Sequence, residues 1–170
     1  MSKSKTKLYM AYGSNLNIDQ MAHRCPTAKV MTSGRLRDHQ LLFRGCRGHA
    51  VATIEPFDGG TVPVLIWKIT PEDEAALDIY EGFPNLYRKE MVILRLDCGK
   101  AFEAMTYIMN ISDPDGRIRP LGKPGKYYFN VILEAYQHLT TELECDEFDT
   151  NILHRAVLDS VNHTEDEQPL

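Results

Sequence analysis

The feature that most constrains how this chain can fold is a short apolar run, which is followed within a few residues by the start of a helix. Residues 8–12 are apolar throughout and are stopped by Gly13, which is typical of a buried strand. Asn17 follows four positions later, with Gln20 three residues beyond it, and this is the spacing of a capping box. The sequence therefore predicts a core strand that leads into a short helix, and this helix should end near Arg24, before the next proline.

The connection between that strand and that helix, Gly13-Ser14-Asn15, has the backbone chemistry of an anion site. The first N–H groups of a helix lack partners within the helix, and Gly13 and Asn15 both tolerate positive φ. A carboxylate or phosphate would bind well there. The same residues are common in plain strand-to-helix turns, so the spacing alone leaves both interpretations open. Because the loop lacks the lysine of a P-loop and the glycine spacing of a dinucleotide site, a small anion is favoured.

Strands dominate the first two thirds of the sequence and helices the last third. The pattern, with a turn at Asp58-Gly59-Gly60, predicts strands at residues 28–32, 40–44, 50–55 and 62–69, a hairpin of residues 87–96 and 101–109, and helices at residues 71–81, 127–139 and 150–161. This order predicts the α+β class, with a curved or barrel-like mixed β-sheet flanked by helices. A chain of 170 residues fits one domain, expected at residues 8–161, with a flexible N-terminal tail at 1–7 and a polar C-terminal tail at 162–170.

The helix predicted at residues 71–81 has the clearest boundaries in the sequence. Thr70 is a favourable N-cap, Pro71 suits the first helical position, and acidic residues fill the first turn. Gly82 can adopt the left-handed conformation that ends a helix. These signals place Glu81 at the C-terminal end of this helix.

Glu81 is the candidate general base. It lies four residues after Leu77 and is flanked by Tyr80 and Phe83, so its carboxylate should be partly buried. Burial and the negative end of the helix dipole both raise the pKa of a carboxyl group, which suits proton abstraction near neutral pH. The alternative is a solvated glutamate that pairs with Arg88 or Lys89. Two other carboxylates could serve as bases but are expected on exposed hairpin faces, namely Glu90 and Glu103.

The charge balance excludes some classes of function. A formal net charge of -5 argues against a nucleic-acid-binding protein, which needs a basic face to neutralise phosphates. The basic residues at 3–7 are not followed by an apolar stretch of signal-peptide or membrane-spanning length, so we expect no membrane association and a cytoplasmic location. The four cysteines are scattered without a C-x-x-C pair and are expected to be reduced.

Two further sets of side chains are candidate functional groups. The spacings H-x-C and C-x-x-H of His23, Cys25, Cys46 and His49 do not match a zinc finger, so no metal site is predicted. Cys25 and His23 lie two apart on a helix and point away from each other, which disfavours a thiolate nucleophile. Tyr127 and Tyr128 begin a predicted helix after Pro124-Gly125, and the phenol of either one could close the mouth of a pocket.

Taken in order, these motifs resemble those of the γ-glutamylcyclotransferase-like family, which includes the γ-glutamylamine cyclotransferases and the AIG2-like group. Tyr12-Gly13-Ser14-Asn15-Leu16 is similar to the family's signature loop, and Glu81, with Tyr87 following, is similar to its catalytic glutamate. The segment from Pro124 to Tyr128 resembles the family's P-S-x-x-Y segment, with Gly125 in place of the serine. The resemblance extends over residues 8–135.

The resemblance implies intramolecular aminolysis of a γ-glutamyl amine or γ-glutamyl amino acid, with release of 5-oxoproline. It assigns Glu81 as the general base and places substrate against Tyr12, Gly13, Ser14, Asn15, Leu16 and Tyr128. It also implies an enzyme that needs no cofactor or metal, because both reacting groups belong to one substrate. Two alternatives remain: a non-catalytic module that binds a small carboxylate metabolite, and a hydrolase that pairs Glu81 with Glu103 or Glu90.

Overall fold

The computed structural model describes the backbone of residues 5–166 and the side chains of residues 5–161. Within that range the chain forms five strands and four α-helices, with a short 3-10 helix at Ser14–Leu16. The strands are β1 (Lys7–Ala11), β2 (Lys29–Arg44), β3 (Val51–Ile69), β4 (Tyr87–Arg95) and β5 (Ala101–Met109). The helices are α1 (Ile18–Arg24), α2 (Pro71–Tyr80), α3 (Lys126–Thr141) and α4 (Thr150–Asp166).

Strand β1 is the centre of a single mixed sheet. The strand order is β2-β3-β1-β5-β4, and β1 is antiparallel to β3 and parallel to β5. Tyr9, Met10 and Ala11 are all buried, because a central strand that is covered on both faces has no solvent side. This explains why the run at residues 8–12 is continuously apolar. The predicted core strand is confirmed.

The sheet is strongly curved but open. Its two edge strands, β2 and β4, approach each other at Gly34, where an added Cβ atom would lie 3.0 Å from side-chain carbons of Leu94 and Leu96. Glycine at position 34 therefore allows the edges to come this close. The α+β class, with a mixed sheet that curves and is flanked by helices, is confirmed.

The prediction of four separate strands between residues 28 and 69 is wrong. They form two long strands, β2 and β3, which pair as one antiparallel hairpin with irregular register near Asp38. The predicted turn at residues 58–60 lies inside β3. Gly59 adopts a φ of +79°, and Gly60 passes so close to the main chain of His39 that a Cβ atom would collide with its carbonyl oxygen. Bulges and glycines thus bend the hairpin without breaking it.

Helix α2 has the boundaries that its capping residues predict. The Thr70 side chain accepts a hydrogen bond from the Asp73 N–H, and the Asp73 carboxylate accepts one from the Thr70 N–H at 3.0 Å. Asp73 is buried and also accepts a hydrogen bond from the Thr27 hydroxyl at 2.7 Å. Gly82 follows the helix with a φ of +62°. These contacts fix both ends of α2 and hence the position of Glu81.

Helices α3 and α4 pack against the sheet in the last part of the chain. They begin at Lys126 and at Thr150, within one residue of the predicted starts. The Ser160 hydroxyl accepts a hydrogen bond from the buried Phe43 N–H at 2.9 Å, which joins α4 to β2. Helix α4 continues through Asp166, and the predicted tails at 1–7 and 162–170 extend outside the described residues. No helix within residues 5–166 is long and apolar enough to cross a membrane.

We predict that Thr70→Ala lowers the free energy of unfolding by about 1 kcal/mol, because it removes the side-chain cap of α2. Urea unfolding followed by circular dichroism measures the difference. Thr141→Ala, at the exposed end of α3, is the matched control and should change stability by less than about 0.5 kcal/mol. Equal stabilities of the Thr70 variant and the unmodified protein would show that the cap does not hold α2 in place.

Candidate active site

A cavity of about 220 Å³ opens between the end of β1, the end of α2 and the start of α3. Six tyrosines and one carboxylate, that of Glu81, are among its described lining residues, which are Tyr9, Tyr12, Gly13, Ser14, Asn15, Val51, Ala52, Tyr80, Glu81, Leu86, Tyr87, Tyr107 and Tyr128. Two larger grooves, of about 610 and 710 Å³, lie on other parts of the surface, and neither contains Glu81. The cavity therefore brings together the loop, the glutamate and the tyrosine that the sequence singles out.

The loop after β1 lines this cavity with Gly13, Ser14 and Asn15. The 3-10 helix is closed by the N–H groups of Leu16 and Asn17, which donate to the carbonyl oxygens of Gly13 and Ser14 at 3.0 Å. Within the described residues, the N–H groups of Ser14 and Asn15 have no acceptor. Two adjacent free donors at a cavity wall can hold a carboxylate or a developing oxyanion.

Gly13 keeps this part of the cavity open. An added Cβ atom would lie 3.3 Å from the Ala52 Cβ and 3.5 Å from the Tyr128 hydroxyl oxygen, so a side chain would fill the space between the loop and α3. Leu16, in contrast, is fully buried in the core and does not line the cavity. Of the five residues in the signature loop, the structure brings the first four to the cavity.

Asn15 is held in a single orientation by contacts at both ends. Its main-chain oxygen accepts a hydrogen bond from the Trp67 indole at 3.2 Å. Its side-chain Nδ2 donates to the Tyr9 hydroxyl at 2.8 Å and to the Glu81 Oε1 at 3.1 Å, and its Oδ1 accepts from Arg24. Asn15 is 2% exposed. The amide thus connects the loop directly to the carboxylate.

The Glu81 carboxyl group is partly buried and poorly hydrated. Burial raises its pKa from 4.5 to about 7, and the Arg24 charge and the Asn15 hydrogen bond oppose this rise. The alternative, a solvated glutamate paired with Arg88 or Lys89, does not occur. Arg88 contacts Glu90, and Lys89 lies within 3.2 Å of Glu74 and Asp78. Glu81 can therefore exchange a proton near neutral pH.

Of the two candidate tyrosines on α3, Tyr128 lines the cavity. Its hydroxyl oxygen accepts a hydrogen bond from the Ala52 N–H at 3.0 Å, which leaves its own proton available to a ligand. Burial raises the pKa of this phenol above its ordinary value, so it stays protonated at neutral pH. Tyr127 is 78% exposed and lies on the groove between α1 and α3.

Tyr12 has a structural contact at the cavity wall. Its hydroxyl donates to the main-chain oxygen of Tyr107, and Tyr87 donates to the main-chain oxygen of Ala52 at 2.5 Å. Burial raises the pKa of both phenols. The first bond joins the end of β1 to its neighbour β5, and the second joins β4 to β3, which are not adjacent in the sheet. This part of the cavity wall is therefore built from neutral, hydrogen-bonded phenols.

Glycine at position 125 has a packing reason. Gly125 is the N-cap of α3, and an added Cβ atom would lie 2.6 Å from the Gly48 carbonyl oxygen. The loop between β2 and β3 passes over the start of α3 here, and the Gly48 N–H donates to the Lys123 carbonyl at 2.9 Å. The serine of the family segment would require this loop to shift.

The other sequence candidates lie away from the cavity. Glu90 and Glu103 are exposed on β4 and β5. Cys25 is buried, with its Sγ donating to the Asp73 carbonyl at 3.5 Å, whereas Cys46 is exposed. Within the described residues, no three His, Cys, Asp or Glu side chains come close enough together to bind a metal ion.

Sequence reasoning did not identify Arg24 or Tyr9 as site residues. Tyr9 lies in the strand core, as the apolar run at residues 8–12 predicts, but its hydroxyl also accepts the Asn15 hydrogen bond. Arg24 is the last residue of α1, and its guanidinium lies 3.4 Å from the centroid of the Tyr80 ring. Only the position of Arg24 in the sequence could have indicated its role, because it ends the helix that follows the loop.

The sequence matches the family model described as "Gamma-glutamyl cyclotransferase, AIG2-like" over residues 9–128. It is 31% identical over 110 residues to human Gamma-glutamylcyclotransferase, a match that covers 60% of this chain and 58% of the human protein. The mouse protein of the same name is 29% identical over 115 residues, covering 63% of this chain and 61% of its own length. The chain thus spans about three fifths of the length of these relatives.

Two solved structures have the same fold. One is a human protein described as uncharacterized, with a TM-score of 0.67 and 26% identity over 82% of this chain and 83% of its own. The other is a Gamma-glutamyl cyclotransferase with a TM-score of 0.68 and 23% identity, covering 89% of this chain and 99% of its own. The curved sheet and the helices around it are therefore shared with these proteins.

We predict that Glu81→Gln stabilises the protein at alkaline pH relative to the unmodified chain. Below pH 4.5 the carboxyl group is protonated in both the folded and the unfolded state. As pH rises to about 7, the unfolded state releases a proton that the folded state retains, so the unmodified protein loses stability across this range. The variant does not lose stability in this way. The difference in free energy of unfolding between the variant and the unmodified protein should therefore grow in favour of the variant by on the order of 2 kcal/mol between pH 5 and pH 8.

Urea unfolding at pH 5 and pH 8 measures this difference. Glu90→Gln, at an exposed site on β4, is the control. The difference between its free energy of unfolding and that of the unmodified protein should depend far less on pH. If Glu81→Gln differed from the unmodified protein by the same free energy of unfolding at both pH values, the raised pKa of Glu81 would be contradicted.

Proposed function

The chain belongs to the gamma-glutamyl cyclotransferase, AIG2-like family, and from this premise we propose that it is an enzyme that converts γ-glutamyl groups to 5-oxoproline. The substrate is a γ-glutamyl amine or γ-glutamyl amino acid, and Glu81 is the general base. The observation that carries this proposal is the contact between the poorly hydrated Glu81 carboxylate and the Asn15 amide, beside the free N–H groups of the loop.

The first step is proton transfer. The α-amine of a γ-glutamyl group is an ammonium ion in neutral water and cannot attack until it loses a proton. Ionised Glu81 accepts that proton, and its pKa of about 7 lies close to the working pH, which is the favourable range for a general base. Both the ionised and the protonated carboxyl group are then accessible during one turnover.

Ring closure and bond cleavage follow. The amine nitrogen attacks the γ-carbonyl carbon of the same molecule, which forms the new C–N bond of a five-membered ring and places negative charge on the carbonyl oxygen. When the tetrahedral intermediate collapses, the carbonyl re-forms, the original C–N bond breaks and protonated Glu81 returns its proton to the departing amine. The ring nitrogen, which still carries two protons after the attack, loses one of them to water as the lactam forms. The products are 5-oxoproline and a free amine or amino acid, and the carboxylate is regenerated.

The donors around the cavity suit the charges that this reaction develops. The N–H groups of Ser14 and Asn15 and the hydroxyl of Tyr128 are available to the substrate carboxylate and the carbonyl oxygen. A well-placed oxyanion donor is worth about 3 kcal/mol of transition-state stabilisation. These donors are fixed by the fold before the substrate arrives, so little reorganisation is needed during the reaction.

The size of the cavity supports a small, folded substrate. A volume of about 220 Å³ is below the range of drug-sized pockets, which begins at about 300 Å³, and it fits a single amino-acid-sized group. Holding the amine against the γ-carbonyl in such a space can contribute on the order of 7 kcal/mol or more through orientation. The proposed chemistry requires no protein nucleophile, cofactor or metal.

The two alternatives are less well supported. A two-carboxylate hydrolase would need a second acid in the cavity, but Glu81 is the single carboxylate among the described lining residues, and Glu90 and Glu103 lie on the exposed hairpin. A module that binds its ligand without turnover would not need a carboxyl group whose pKa is raised to about 7. We also propose that the protein acts in the cytoplasm on small molecules, without nucleic acid or membrane.

We predict that Glu81→Gln lowers the rate of 5-oxoproline release by at least about 100-fold, because the amine no longer has a proton acceptor. Glutamine keeps the size of the side chain and can still accept the Asn15 hydrogen bond, so the fold should be retained. Mass spectrometry of a panel of γ-glutamyl amino acids and γ-glutamyl amines follows the product over time, with Glu90→Gln as the active control.

Three results would contradict the proposal. The Glu81→Gln variant could retain full activity, which removes Glu81 from the mechanism. The unmodified protein could bind γ-glutamyl compounds without consuming them, which favours the binding module. Linear glutamate could form in place of the cyclised acid, which favours the hydrolase.

We also predict that kcat/KM for 5-oxoproline release rises with pH and has a midpoint near 7. Activity requires the ionised form of Glu81, which is the minor form below this pH and the major form above it. Initial rates between pH 5 and pH 9 at low substrate concentration give the profile. A rising limb with its midpoint near the ordinary glutamate value of 4.5 would show that the base is a well-hydrated carboxylate.

A further inference from the structure

We propose that Arg24 is a positioning residue that fixes the Asn15 amide with its NH2 group toward Glu81 and supplies the positive charge that faces this carboxylate. Its effect on turnover rests on the proposed function, whereas its effect on Glu81 itself does not. Neither the sequence motifs nor the family match assigns a role to this arginine.

The geometry determines which way the Asn15 amide faces. A guanidinium group has only donors, so the atom of Asn15 that contacts Arg24 must be the oxygen. The Nδ2 group then faces the other way, where it reaches both the Tyr9 hydroxyl and the Glu81 Oε1. Without Arg24 the amide could rotate and present its oxygen to Glu81, which would repel the ionised form of the base.

Arg24 is itself held on three sides. One guanidinium nitrogen donates to Gln20 Oε1 at 2.9 Å, one turn earlier on α1, and another donates to Asn15. The planar group also stacks at 3.4 Å from the centroid of the Tyr80 ring, which adds a cation–π attraction. The Tyr80 hydroxyl in turn lies 3.0 Å from the Ser14 Oγ. These contacts hold the charge against Asn15 and Tyr80, which both line the cavity, whereas Arg24 itself is not among the lining residues.

Among the described titratable groups that face Glu81, Arg24 is the charged one. The others are phenols on β1, α2, β4, β5, α3 and the loop, namely Tyr9, Tyr12, Tyr80, Tyr87, Tyr107 and Tyr128. Burial raises the pKa of five of these, Tyr9, Tyr12, Tyr87, Tyr107 and Tyr128, so they remain neutral while Glu81 titrates. The Arg24 charge and the Asn15 hydrogen bond both hold the pKa of Glu81 down. Together they keep a buried base ionisable near neutral pH.

The test is a carbon-13 NMR titration of the Glu81 carboxyl carbon in protein labelled at glutamate, with the resonance assigned from Glu81→Gln. We expect Arg24→Met to raise the titration midpoint by about one pH unit, because it removes the charge and frees the Asn15 amide. Arg24→Lys keeps a donor and a charge and should restore most of the shift. Arg35→Met, which removes an exposed arginine from β2, is the matched control and should leave the midpoint unchanged.

The same variants are then assayed for 5-oxoproline release as a function of pH. The rising limb of kcat/KM for Arg24→Met should move by the same amount as the NMR midpoint, which at pH 7 is a loss of up to about tenfold. If Arg24→Met does not fold, Arg24→Gln provides the neutral variant, with a shift in the same direction expected. An unchanged Glu81 midpoint in a folded neutral variant overturns the inference. If the unmodified protein releases no 5-oxoproline, the proposed function is overturned instead. The NMR result still stands in that case, because the titration needs no turnover.

Discussion

The hydrogen bond from the Asn15 amide to the Glu81 carboxylate is the contact on which the site depends. It joins two segments that are 66 residues apart, and it offers a poorly hydrated carboxylate one donor in place of lost water. Burial alone would keep the acid protonated, while full solvation would make it a weak base near neutral pH. The amide and the arginine behind it hold Glu81 between these limits, so the base strength follows from packing.

The rest of the fold holds these two segments in fixed positions relative to each other. Strand β1, buried at the centre of the sheet, delivers the loop to a fixed point, and the Trp67 indole holds the Asn15 main chain there. The capped start of α2 and its glycine stop place Glu81 at the opposite wall. The start of α3 then closes the cavity, since the Tyr128 hydroxyl is bonded to the Ala52 N–H on β3. Three elements from distant parts of the chain thus converge on one small space.

Local chemistry made part of this predictable from the sequence. The ends of α2 follow from Thr70 and Gly82, and the loop follows from a strand that stops at Gly13, because capping and turn preferences act within a few residues. Long-range contacts decided the rest. The glycines at 59 and 60 look like a turn but lie within a strand that is stabilised by its partner. Arg24 had no signal beyond its position at the end of α1, because its contacts with Asn15 and Tyr80 exist only once α1 has packed beside α2.

The most direct measurement of the central claim is a crystal structure of Glu81→Gln with an intact γ-glutamyl amino acid bound. The account predicts that the substrate occupies the cavity with its α-amine within about 3.2 Å of the side-chain oxygen at position 81, and with a carboxylate or the γ-carbonyl oxygen on the N–H groups of Ser14 and Asn15. A substrate bound elsewhere, or one whose amine points away from position 81 into solvent, would contradict it.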